Sequence, residues 1–221
     1  MPGGIGIFGG TFDPVHVGHL RAAEDVREAL DLAEIRFVPA ATPPHKEART
    51  ITAPAARLHM LELATAGVPA FRVWPIELAR RGPSYSIDTI RALRDEVGPG
   101  PHLAFVLGRD AFAEFDTWKE HVAIFSLCDV VVMTRPPHRE VLSLGDIPVA
   151  ARGAFCYDPV SGSFHHESGH RVIPLSVVPL DISATDIRSR LASGRSIRFL
   201  VPAAVEAYLE SSGLYRSTRA S

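Results

Sequence analysis

A chain of 221 residues, 46% of them apolar, can bury one good core, and a single domain over 1–221 is expected. No run of about 18 apolar residues could span a bilayer and no basic start with an apolar stretch marks a secretory leader, so a soluble, cytoplasmic protein without a membrane partner is expected. A net charge of -2 gives nucleic acid no general attraction, and two cysteines, Cys128 in an apolar run and Cys156 in a loop-like stretch, make neither a disulfide framework nor a four-thiolate zinc site.

Along the chain, β-rich runs recur at Ile5-Gly6-Ile7-Phe8, Ile35-Arg36-Phe37-Val38, Phe71-Arg72-Val73-Trp74, Leu103-Ala104-Phe105-Val106-Leu107 and Val130-Val131-Val132-Met133, with helical stretches between most of them. Leu20, Ala23, Val26 and Leu30, then Leu58, Leu61 and Thr65, then Ile87, Ile90, Leu93 and Val97 repeat at the helical period, giving each helix an apolar face. The alternation predicts an α/β fold, a Rossmann-like parallel sheet with helices on both faces. From about 137 to 169 the chain is rich in Gly, Pro, Ser and His without a period, and reads as a loop-rich insertion around a weak helix. Its tract His165-His166-Glu167-Ser168-Gly169-His170 could chelate a metal, a solvated loop being the plainer reading. Another strand follows at Val172-Ile173-Pro174-Leu175-Ser176-Val177, then C-terminal helices over about 183–210. Ser183 is expected to cap the first, with Asp186 closing a capping box, and Pro202 to stand in the first turn of the second.

Where the first strand runs out, Gly9-Gly10-Thr11-Phe12-Asp13-Pro14-Val15-His16-Val17-Gly18-His19 leads into a helix. Ligands of doubly wound sheets bind beyond the carboxyl ends of the strands. Two glycines let a phosphate approach the backbone, and a helix starting near Gly18 aims its free N–H groups at the same place. His16 and His19, three apart, can turn both rings to one anion as donors. Two better-known phosphate motifs match by spacing and fail on context. Gly4, Gly6 and Gly9 fit G-x-G-x-x-G, but the first two fall inside the strand and no acidic residue ends the second strand; Gly4 and Gly9 fit a phosphate loop, but Gly10-Thr11 stands where Lys-Ser/Thr is required. A zinc site on the two histidines lacks a third ligand at a recognisable spacing, so no protein metal ligand is expected.

The run from Gly9 to His19 resembles the signature of the HxGH nucleotidyltransferase superfamily, in its nicotinate-nucleotide adenylyltransferase form. The resemblance implies that fold, and an ATP site that includes Gly9, Gly10, Thr11, Phe12 and Gly18. Further on, Ile182-Ser183-Ala184-Thr185-Asp186-Ile187-Arg188 gathers hydroxyls, free N–H groups and a guanidinium at one helix start, a second anion clamp or else a plain capped helix. It looks like the ISxTxxR element of the same superfamily, with Ala184 where Ser is frequent. That likeness implies that Ser183, Thr185 and Arg188 hold the β- and γ-phosphates of ATP.

Three segments resemble the nicotinate-nucleotide branch in particular: Pro43-Pro44-His45-Lys46, Ser84-Tyr85-Ser86-Ile87-Asp88-Thr89, and Gly108-Arg109-Asp110 followed by Phe115-Asp116-Thr117-Trp118-Lys119. His45 and Lys46 offer donors to a phosphate, Asp110 can accept ribose hydroxyls, and the Trp118 indole is a flat surface for a pyridine ring. The resemblance implies that Trp118 stacks on the nicotinate ring. It further implies that backbone N–H groups near Ser86 and Lys119 receive the carboxylate, and that Gly108 and Asp110 lie by a nucleotide ribose.

The reaction so implied is in-line attack of the 5'-phosphate of nicotinate mononucleotide on the α-phosphorus of ATP, releasing pyrophosphate and forming nicotinate adenine dinucleotide for NAD biosynthesis. It needs alignment and charge neutralisation but no protein nucleophile. His19 is expected near the α-phosphate, His16 and Arg188 toward the leaving pyrophosphate, with Mg2+ carried by ATP phosphates and water. On residues alone, nicotinamide mononucleotide or phosphopantetheine as acceptor, a nucleotide sensor without turnover and an NAD-dependent oxidoreductase stay open. So does a homo-oligomer.

Overall fold

The computed structural model describes residues 3–41, 51–80, 82–134 and 142–216. His45 and Lys46 lie outside the described residues. The strands are β1 (Gly4–Gly10), β2 (Leu32–Pro39), β3 (Phe71–Val73), β4 (Leu103–Gly108), β5 (Asp129–Thr134), β6 (Phe155–Asp158), β7 (Ser163–His166) and β8 (Arg171–Ser176). They form one sheet in the order β3-β2-β1-β4-β5-β8-β7-β6. From β3 across to β8 all pairings are parallel, while β7 and β6 join antiparallel. The order reverses between β1 and β4, the place where an α/β sheet opens a crevice for ligands.

The helices are α1 (Val17–Ala29), α2 (Pro54–Thr65), α3 (Ile76–Ala79), α4 (Ser86–Val97), α5 (Arg109–Ala113), α6 (His121–Ile124), α7 (Val149–Arg152), α8 (Ala184–Ala192) and α9 (Ala203–Ser212). Successive side chains of a strand point to opposite faces, so the central strands feed two cores. Ala104, Val106, Val131 and Met133 face α1, α2, α8 and α9, while Leu103, Phe105, Val130 and Val132 face α4 and the short helices beside it. The parallel sheet and the helices that carry the periodic residues agree with the sequence reading. Ser183 Oγ accepts the N–H of Asp186 at 3.1 Å, but the Asp186 carboxylate turns to Arg190 at 2.7 Å instead of closing the box. Pro202 is the residue before α9, not part of its first turn.

The reading of 137–169 as loops needs correction for the part described. Residues 142–169 include α7 and the hairpin of β6 and β7, which widens the sheet. Asp158 builds its turn, accepting N–H groups from Val160 and Ser161 at 3.0 and 3.2 Å. His166 is not solvated: it is buried against Phe155 and pairs with Ser168 Oγ at 2.8 Å. His170 belongs to another group at the amino end of β5. There both oxygens of buried Asp129 accept from Arg171, at 2.8 Å from its backbone N–H and 2.8 Å from Nη2. His102 Nε2 and His170 Nδ1 stand 3.1 and 3.6 Å from the carboxylate. Arg171 thus engages both oxygens, Oδ1 through its backbone N–H and Oδ2 through its guanidinium.

Burial opposes the charge on Asp129, but the hydrogen bonds from His102 and Arg171 outweigh it and hold the carboxyl below its ordinary value. A depressed folded-state pKa adds stability that is complete above about pH 4, the unfolded value, and is lost as pH falls toward the folded one. Asp129→Asn should therefore cost about 3 kcal/mol at pH 7. In urea unfolding, the gap to wild type should shrink below about pH 4. A gap independent of pH would show that the ion cluster contributes nothing.

Candidate active site

Two cavities open beyond the carboxyl ends of the strands. One of about 450 Å³ sits at the β1/β4 switch, walled by the exits of both strands, from Phe8 to Thr11 and from Phe105 to Gly108, and by Ser86, Trp118 and Lys119. The other, of about 400 Å³, lies between the opening loop and the start of α8 and is lined by Thr11, Phe12, Asp13, His19, Thr185 and Arg188. Each is the size of a small-ligand site. Thr11 belongs to both walls.

The second cavity joins the two motifs that stand far apart in the chain. Arg188 Nη1 donates to Asp13 O at 2.6 Å and Nη2 to Thr185 Oγ1 at 3.1 Å, so the guanidinium bridges the opening loop and α8. His16 precedes α1 as its cap, and its backbone N–H donates to His19 Nδ1 at 3.2 Å. An accepting Nδ1 carries no proton, so a neutral His19 carries its proton on Nε2. The two rings stack with centroids 3.6 Å apart, His16 buried and His19 partly exposed beside the edge of Phe12. His19 therefore lines the cavity, whereas His16 supports it from within and is in neither wall. Ser183 likewise serves as the cap of α8 and is absent from both walls.

The two adjacent glycines have different work. A Cβ on Gly10 would lie 2.8 Å from Phe12 Cζ, so its bareness admits that ring; a Cβ on Gly9 would meet nothing within 4 Å. On Gly18 it would press on the His16 ring at 3.0 Å. Gly9→Ala should keep the melting temperature and raise a substrate KM by about tenfold through lost room in the first cavity, while Gly18→Ala should shift the histidine pair and lower kcat instead. Steady-state kinetics on both variants checks the contrast; the same parameter changing in both would remove it.

In the first cavity Trp118 packs one side against Phe115, with ring centroids 5.0 Å apart, and lines the cavity. Ser86 opens α4 after Tyr85, and the first N–H groups of a helix have no intrahelical acceptor. The Lys119 ammonium is engaged by Asp88, at 2.9 and 3.1 Å, and lies over the Tyr85 ring. These contacts brace the Trp118 loop against α4. Asp110 is exposed in the first turn of α5 and lines neither cavity, although Gly108 beside it does.

Several residues that shape the site carry no motif of their own. Asp13 is buried, taking the Tyr215 hydroxyl on Oδ1 at 2.5 Å and the Thr52 N–H on Oδ2 at 3.3 Å. Burial and the Asp13 charge push the Tyr215 hydroxyl up, so it stays a donor. Glu77, buried in the first cavity's wall, accepts from Thr89 at 2.8 Å, and Arg80 donates to the same Thr89 oxygen at 3.0 Å, tying α3 to the first turn of α4. Burial pushes the Glu77 carboxyl up, against the Thr89 hydrogen bond. Arg57, fully buried on α2, donates to three backbone carbonyls.

A switch-point crevice joined to a second cavity of donors at two helix starts is the site of a nucleotidyltransferase, and residues 7–190 match the model of the Cytidylyltransferase-like family. A protein of Geobacter sp. (strain M21) named "Probable nicotinate-nucleotide adenylyltransferase" is 47% identical over 97% of this chain and 99% of its own. One of the same name from Geobacter sulfurreducens is 46% identical over 95% and 97%. The chain belongs to the nicotinate-nucleotide adenylyltransferase family. A solved structure, "Plasmodium falciparum nicotinic acid mononucleotide adenylyltransferase complexed with NaAD", shares the fold at 16% identity and a TM-score of 0.72, covering 96% of this chain and 97% of that one.

Proposed function

We propose that this protein is a cytoplasmic enzyme that transfers the adenylyl group of ATP to the 5'-phosphate of nicotinate mononucleotide, forming nicotinate adenine dinucleotide and pyrophosphate for NAD biosynthesis. The observation that carries the reading is the shared Thr11 wall, which lets an ATP in the Arg188 cavity and an acceptor in the Trp118 cavity meet at the end of β1. His19 Nε2–H donates to the α-phosphoryl oxygens as charge builds there, and Arg188 with the α8 N–H groups receives the departing pyrophosphate. ATP enters as its magnesium complex. Among the described residues the carboxylates in the two walls, Asp13 and Glu77, are already hydrogen-bonded, which favours an ion held by phosphates and water. The nicotinate carboxylate is received at the opening N–H groups of α4, where an anion is favoured. The names of the relatives support this acceptor. Comparing kcat/KM for nicotinate and nicotinamide mononucleotides should favour nicotinate by about tenfold or more; equal values would overturn the acceptor.

A further inference from the structure

We propose that Arg57 is a positioning residue that holds the two substrate cavities in register. Its side chain has no exposed surface, and among the described residues no carboxylate stands within ion-pair distance of it. A buried guanidinium is costly, and an apolar residue of similar volume would serve the packing of α2 better. Here the donors go to three carbonyls on three segments. Nη1 reaches Thr11 O at 2.8 Å, Nε reaches Thr52 O at 2.9 Å just before α2, and Nη2 reaches Ala41 O at 3.4 Å beyond the end of β2. Thr11 is the residue common to both cavities, so the planar fork of Arg57 fixes the wall at which the two substrates meet. The same loop is held from its other side, where the Thr52 N–H and the Tyr215 hydroxyl meet the Asp13 carboxylate. Arg57 touches neither cavity, so its effect is on alignment, and a shift of about 1 Å in such a wall costs roughly a hundredfold in rate.

The inference rests on the adenylyl-transfer reading, and one experiment separates the two. Arg57→Lys keeps the charge but has a single compact donor head that cannot serve three carbonyls. Assayed with ATP and nicotinate mononucleotide, it should lower kcat by about tenfold or more, while the Kd of each substrate measured alone by calorimetry stays within about threefold and the protein remains folded at the assay temperature. A kcat within about twofold of wild type would overturn the positioning role, as would a Kd that weakens as much as turnover falls. Should the lysine variant not fold, Arg57→Gln, which retains amide donors, is read in the same way; failure of both to fold would make Arg57 a stability element and also overturn the proposal. Wild type that forms no dinucleotide would instead sink the adenylyl-transfer reading.

Discussion

Replacing His19 with alanine should lower kcat by a factor of about a hundred or more, measured as pyrophosphate release, in a protein that still folds. The ring stands in the wall of the second cavity with Phe12 at its edge, and its Nδ1 already accepts the His16 N–H. In the proposed reaction Nε2–H is the group that meets the charge developing as the α-phosphorus is attacked. Alanine also loses a capping hydrogen bond worth about 1 kcal/mol. His19→Asn separates the two effects, because its side-chain oxygen can keep the cap while the Nε2 donor is gone. Both variants should show the same kinetic defect, with asparagine closer to wild type in stability. Unchanged turnover in either would remove His19 from the chemistry.

Trp118→Ala should act on the other substrate, raising the acceptor KM by about tenfold or more and leaving the ATP KM near wild type. The indole lies between Phe115 and the first cavity, so removing it deletes a stacking surface and uncovers the Phe115 ring. Trp118→Phe keeps part of that surface and should lie between the two. A defect confined to ATP would place Trp118 in the wrong half of the site.

Strands with strong apolar runs, and helices long enough to show a period, were legible from the residues; β6 and β7 were not. Each is four residues long and joined through a polar turn around Asp158, too short for alternation to rise above the Gly, Pro and Ser beside it. In the site, the run from Gly9 to His19 and the start of α8 announced themselves because free helix N–H groups, hydroxyls and cationic side chains at one place leave few other uses. Finer assignments were less legible. Gly10 is bare for the Phe12 ring, and His16 is a buried support whose partner faces the cavity, distinctions that spacing alone cannot make. The resemblance implies that Asp110 lies by a nucleotide ribose, while in the structure it is exposed in the first turn of α5 and outside both walls. Arg57, Glu77 and Tyr215 act through contacts between distant segments. A lone arginine among Leu58, Met60 and Leu61 offers one hint: a cation in a helix that buries its neighbours needs partners nearby.

Incubating the purified protein with ATP, magnesium and nicotinate mononucleotide, and following every nucleotide by mass spectrometry alongside pyrophosphate, tests the central claim most directly. Adenylyl transfer predicts nicotinate adenine dinucleotide and pyrophosphate in equal amounts, with ATP consumed to match. Release of ADP and inorganic phosphate, or ATP left intact beside unchanged mononucleotide, would contradict it.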